Sequence, residues 1–156
     1  MNQASSHLCT VFGIERPIFQ AGMGYVTSGR IAGAVSAAGV SVGTRFMASF
    51  ESDIHDNYRQ IIVEADERST TITRAWTGKP SRAWRSPFVV SWEGPESELQ
   101  LYPEQAIDHS WRAYPGAVEG NIAEGFFPLG QCAAAIDSIL PAAEIVDLLA
   151  APAEAS

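Results

Sequence analysis

Apolar and polar positions along the first third of the chain predict strand, helix and strand in turn. Residues 17–21 form a short apolar run that opens with proline, which is tolerated at a strand start. Apolar residues then recur at helical spacing between Ser28, a suitable N-cap, and Gly39, a suitable helix stop. Residues 40–46 predict a second strand that ends in a turn at Gly43-Thr44. This order is typical of α/β proteins.

The rest of the chain predicts more helix than strand. Residues 52–65 place Ile54, Tyr58 and Ile61 on one face of an amphipathic helix. The β-branched run at 69–73 predicts a strand. Further helices are predicted for four segments: 81–88, 104–111, 131–139 and 141–149.

Charge and cysteine content narrow the classes of partner. The chain has 10 basic and 18 acidic residues, a net charge of −8, which disfavours nucleic acid and anionic membrane surfaces. Its start shows no secretory signal pattern, and no apolar run is long enough to cross a membrane. Cys9 and Cys132 lie far apart and read as two reduced thiols. We therefore expect a cytoplasmic protein.

Two glycine turns are the candidate binding elements. Gly22-Met23-Gly24 and Gly43-Thr44 each follow an apolar strand, where backbone N–H groups can face a phosphate or a flavin ring. Ordinary tight turns explain the same spacing, and neither turn matches a P-loop or GxGxxG. Arg45 is placed either to approach a phosphate or to pair with Glu51 or Asp53.

Other residues with reactive side chains form no motif. His55 is expected to cap a helix or lie on the surface, and His7 and His109 stand outside any metal-binding spacing. No GxSxG and no Cys–His pattern supports covalent catalysis. We assign no catalytic residue and no metal ligand. The four tryptophans are expected to pack in a core or a lid.

Several stretches together resemble a known family. Residues 17–24, PIFQAGMG, and 34–39, AVSAAG, are similar to the first strand and helix of the nitronate monooxygenase (2-nitropropane dioxygenase-like) flavoproteins. Residues 42–46, VGTRF, are similar to their last barrel strand and phosphate loop. The likeness continues through residues 51–58, 78–82, 130–131 and 139–146, and covers about residues 11–150.

The resemblance implies an FMN-dependent (β/α)8 TIM barrel that oxidises alkyl nitronates with O2 to a carbonyl compound and nitrite. Gly22, Met23 and Gly24 would lie against the flavin ring. Ser41, Val42, Gly43 and Thr44 would hold the FMN phosphate, near the last strands as in other such barrels.

The chain departs from the family in length. A barrel takes about 250 residues, whereas here the first helix runs directly into what resembles the last strand. The middle of the barrel, with the family's histidine base, is missing, so we expect impaired activity. The expected fold is an α/β fragment of a TIM barrel, holding its first and last strands with their helices, plus a mainly helical C-terminal region. The expected parts are a polar leader (1–16), incomplete barrel elements (17–66), the helical region (67–150) and a tail (151–156).

Two other functions stay open. An FMN-dependent enoyl-[acyl-carrier-protein] reductase shares a turn of the Gly-Thr-Arg-Phe type. A non-catalytic remnant would instead bind a partner or associate with itself through exposed strand edges.

Overall fold

The computed structural model describes residues 9–11, 13, 19–20 and 41–150, and the described residues group into two compact units. The first unit holds the described residues up to Asp53 together with those from Ser138 onward. The second unit is Ile54–Asp137. The predicted helix at 28–38 lies outside the described residues. No helix in the described ranges is both long enough and apolar enough to cross a membrane.

Two short parallel strands open the first unit. Strand β1 (Phe19–Gln20) pairs with β2 (Ser41–Val42), Phe19 opposite Ser41. Both strands lie inside the segments predicted from sequence. The second strand ends at Gly43, where a turn was predicted, and Gly43 begins a helical turn, α1 (Thr44–Met47).

The helix predicted for 141–149 is confirmed as α5 (Ala142–Ala150), and it belongs to the first unit. Phe46 is fully buried and packs with Ala142, Ile145 and Val146 of this helix. The segment before the helix is fixed by the main chain, because Phe50 N donates to Leu140 O at 3.2 Å. Residues distant in sequence thus hold α1 and α5 together.

The second unit contains an antiparallel hairpin that sequence patterns predicted only in part. The predicted strand at 69–73 is confirmed as β3 (Thr70–Thr73). Its partner β4 (Ser81–Trp84) occupies a segment for which helix was predicted, and Thr71 lies opposite Ala83. The helix prediction was wrong because β4 is hydrogen-bonded on its other edge too. Trp84 N donates to Phe127 O at 2.9 Å, and Leu129 N donates to Arg82 O at 3.3 Å.

Within the second unit, one helix precedes the hairpin along the chain and further helices follow it. Their bounds are α2 (Asp56–Val63), α3 (Pro87–Ser91), α4 (Glu104–Glu119) and a 3-10 helix (Gln131–Ala135). Helix α4 is longer than the predicted 104–111 and ends at Gly120, whose φ of 73° suits a helix stop. The helix predicted for 131–139 is only a 3-10 helix, and Ile136 after it is extended. Because residues 67–150 contain this hairpin, the prediction that they form a mainly helical C-terminal region is not confirmed.

Aromatic side chains form much of the core of the second unit. Phe127 is fully buried and meets Tyr58 and Trp84 edge to face, with ring centroids 5.0 and 5.7 Å apart. Trp76 stacks on Phe126 at 5.1 Å. Three of the four tryptophans, counting Trp92, are partly buried, which agrees with the predicted packing role.

Candidate functional site

The carboxyl edge of the β1–β2 pair is the candidate binding site. Because the two strands run parallel and Gln20 lies opposite Val42, the chain leaves both strands at the same edge. Ligands of parallel sheets bind at this edge. The predicted residues Gly22, Met23 and Gly24 follow β1 in sequence but lie outside the described residues.

The other predicted residues lie in one continuous run at this edge. Ser41 and Val42 form β2, Gly43 follows directly with φ −107° and ψ −76°, and Thr44 is the first residue of α1. The turn closes locally, since Phe46 N and Met47 N donate to Gly43 O at 3.0 and 3.2 Å. Thr44 is 7% exposed, so its side chain has little access to solvent.

Arg45 anchors the turn to the C-terminal segment. Its Nη1 donates to the carbonyl oxygen of Ser138 at 2.8 Å. Glu51, one of the carboxylates expected beside it, accepts from Ala142 N at 2.9 Å through Oε2. A carboxylate at the first turn of a helix is favourable, because it satisfies an N–H that has no acceptor within the helix. Sequence spacing gave no sign of either contact, since each joins residues about 90 positions apart.

Two side chains of the second unit that could in principle transfer protons, His55 and Tyr58, have structural roles. His55 is the N-cap of α2, as expected, and its Nδ1 accepts from Asn57 N at 3.1 Å. The Tyr58 hydroxyl donates to Pro128 O, and burial raises the pKa of this phenol far above its ordinary value. Tyr58 therefore stays protonated. Within the described ranges, no three His, Cys, Asp or Glu side chains form a group that could hold a metal ion.

A phosphate at the carboxyl edge would be held mainly through backbone N–H groups. Gly43 has no side chain to block the end of β2, and a hydroxyl-bearing residue comes next. The buried Thr44 side chain makes the main chain the principal donor of this turn. Gly43, not Thr44, is therefore the residue on which phosphate binding would depend most.

Comparisons with known sequences agree on one family. A family model described as nitronate monooxygenase matches residues 36–151, which include Ser41–Val42, Gly43 and Thr44. A probable nitronate monooxygenase of Staphylococcus saprophyticus is 33% identical over 93 residues, 59% of this chain and 26% of that protein. Another from Staphylococcus aureus strain Newman is 32% identical over 71 residues, 46% of this chain and 20% of that protein. The matches thus span about a fifth to a quarter of the length of these relatives.

Solved structures show the same likeness. FabK from Thermotoga maritima superposes with a TM-score of 0.59 at 38% identity, covering 75% of this chain and 37% of that one. Nitroalkane oxidase from Streptomyces ansochromogenes superposes with a TM-score of 0.59 at 25% identity, covering 78% of this chain and 34% of that one. Because the family model covers well over half of its residues, the chain belongs to the nitronate monooxygenase family, a family of flavin enzymes.

Proposed function

We propose that the chain binds FMN at the carboxyl edge of the β1–β2 pair, as part of a nitronate monooxygenase-type oxidoreductase. The observation that carries the proposal is the parallel pairing of Phe19–Gln20 with Ser41–Val42. This pairing brings the ends of the two strands that precede the glycine turns to one edge. Bound FMN would supply the electron transfer from an alkyl nitronate to O2, which gives a carbonyl compound and nitrite.

Different residues of the chain would bind the phosphate and the ring of FMN. Ser41, Val42, Gly43 and Thr44 would hold the phosphate, mainly through main-chain donors. Gly22, Met23 and Gly24, which continue from β1, would lie against the flavin ring. Arg45 supports the turn by its hydrogen bond to Ser138 O and leaves the phosphate to the backbone.

Turnover by this chain is proposed to be weak. Nitronate oxidation in the family depends on a histidine base in the segment that the sequence lacks. The two described histidines do not replace it, because His55 caps α2 and His109 packs against Trp92. FMN binding and nitronate turnover are therefore separable properties here.

Two alternatives compete with this function. FMN-dependent reduction of an enoyl-[acyl-carrier-protein] is the second candidate, because enzymes of that kind share the Gly-Thr-Arg-Phe type of turn found at residues 43–46. The third is a non-catalytic remnant that self-associates through the edges of β1 and β2. Consumption of reduced nicotinamide would indicate the second, and nitrite release from an alkyl nitronate the first. In all three cases we place the protein in the cytoplasm.

The test is visible absorption of the purified chain after mixing with FMN and desalting. We expect retained flavin bands with the native chain and loss of the bands in Gly43→Val, whose side chain would obstruct the end of β2. Gly94→Val is the matched control, since Gly94 is exposed and a Cβ added there would lie 4.0 Å from the nearest neighbouring atom, Glu96 N. Riboflavin, which has no phosphate, should be retained less than FMN. A chain that ignores FMN, or that holds riboflavin equally well, would contradict the proposal.

A further inference from the structure

An open cleft of about 860 Å³ in the second unit lies between α3, α4 and the loops that flank them. Its volume is within the usual range for small-molecule sites. Aromatic rings line it: Phe88 and Trp92 from one side, His109 and Trp111 from α4. None of the residues predicted to bind FMN is among its described lining residues.

The rings of the cleft hold one another in place. Trp92 meets His109 with ring centroids 4.8 Å apart and Phe88 at 6.3 Å, both at an interplanar angle of 62°. Trp111 is 61% exposed, and its Nε1 donates to Asp108 O at 2.9 Å, which orients the indole. Rings positioned in advance lose little entropy when a ligand binds.

The charges of the cleft are negative. Among the described lining residues, the charged side chains are Glu98 and Glu124, and both residues are exposed. Glu124 is oriented by Asn121, whose Nδ2 donates to Oε2 at 3.1 Å. The faces of aromatic rings are also electronegative and attract cations. The carboxylates and the ring faces therefore both favour a positively charged ligand and disfavour the negatively charged phosphate of FMN.

Among the described lining residues, one buried side-chain polar atom makes no hydrogen bond. Nδ1 of His109 is buried and makes no hydrogen bond to the described part of the protein. A buried nitrogen without a partner is costly, and a ligand that donates an N–H or O–H would satisfy it.

We propose that this cleft binds a flat aromatic organic cation, such as an arylalkylamine in its ammonium form. The ring of the ligand packs among Phe88, Trp92 and Trp111, and its cationic nitrogen lies toward Glu98 and Glu124. The described lining residues of this cleft all belong to the second unit, whereas the described residues predicted to bind FMN belong to the first.

The test uses the full chain and benzylamine, which is protonated at neutral pH, as the probe, and measures the indole Nε1–H signals in ¹H–¹⁵N NMR spectra. We expect the signals of Trp92 and Trp111 to shift with a Kd of about 1 mM, as suits a ligand of this size. Trp84 packs on Phe127 away from the cleft, so its signal should stay in place. Benzyl alcohol, which keeps the ring without the charge, should bind several-fold more weakly.

Two pairs of substitutions distinguish binding in the cleft from a general effect of surface charge. The Glu98→Gln/Glu124→Gln pair should weaken binding by about fivefold. The Glu67→Gln/Glu96→Gln pair changes net charge equally at exposed positions outside the cleft lining and should have no effect. Equal effects of the two pairs, equal binding of benzyl alcohol, or a shift of Trp84 as large as that of Trp92 would overturn the proposal.

Discussion

The β1–β2 pair and the β3–β4 hairpin differ in what brings their strands together. The strands of the first pair are two residues long and parallel, and their helical turn is anchored to residues about 90 positions later. The hairpin strands are four residues long, antiparallel and joined by a short connection. The proposed flavin site therefore depends on residues distant in sequence, whereas the two hairpin strands pair across a short connection and β4 bonds in addition to the segment at Phe127–Leu129.

The largest effect is expected from core truncation in the first unit. Phe46→Ala removes the fully buried ring that packs on α5 and should lower the free energy of unfolding by about 3–5 kcal/mol. Hydrogen exchange of α5 amides should accelerate strongly, with α2 amides less affected. Phe127→Ala, an equally buried ring in the second unit, is the control and should reverse this order. Identical exchange patterns in the two variants would remove the distinction between the units.

The next largest loss of stability is expected when the hydrogen bond from Arg45 to Ser138 O is removed. Arg45→Met keeps the length of the side chain but deletes the donor to Ser138 O, and should cost about 2 kcal/mol of stability. Arg82→Met removes a donor to Thr70 Oγ1 within the hairpin and should cost about 1 kcal/mol. Urea unfolding of the two variants measures the difference. A smaller loss for Arg45→Met than for Arg82→Met would contradict the importance of the long-range contact.

A smaller loss of stability is expected when the N-cap of α3 in the second unit is removed. Ser86 is fully buried, its Oγ donates to Gly125 O at 2.9 Å, and it accepts from Val89 N at 3.2 Å. Ser86→Ala should therefore lower stability by about 1–2 kcal/mol in thermal unfolding. Ser91→Ala, which loses a hydroxyl bond at an exposed position, should change stability by less than about 0.5 kcal/mol.

The smallest effect is a pH dependence next to β3. Hydrogen bonds from the Ser69 hydroxyl and from Arg68 N hold the pKa of Asp66 below its ordinary value. A carboxyl whose folded pKa is lowered stabilises the protein above its unfolded pKa, and this contribution is lost as pH falls through the folded pKa. NMR titration should show the Asp66 pKa rising in Ser69→Ala. An unchanged pKa in that variant would mean that the hydroxyl is not the main cause.

Sequence patterns were most informative where a segment was governed by its own residues. The β-branched strand, the amphipathic helix α2 with its His55 cap and the final helix were all predicted, because periodicity and capping are local. The strand β4 was missed because its hydrogen bonds go to β3 and to residues near Phe127, which local sequence does not record. Local propensity yields to such tertiary contacts.

The candidate site was predictable only in part for the same reason. Gly43 and its neighbours were identified by their likeness to a family, and the structure brings β2 beside β1. The roles of Arg45 and Glu51 were not predictable, because both bind main-chain atoms of a distant segment. The aromatic cleft was not predicted either, since Trp92 and Trp111 are 19 positions apart and show no periodic pattern.

The most direct test of the central claim is to map FMN binding on the backbone amides of the full chain by ¹H–¹⁵N NMR. The account predicts the largest shifts at Gly43 and Thr44, with the hairpin amides of Thr71 and Ala83 unchanged. Shifts concentrated in the hairpin or around the aromatic cleft, or no shifts at saturating FMN, would contradict a flavin site at the edge of β1 and β2.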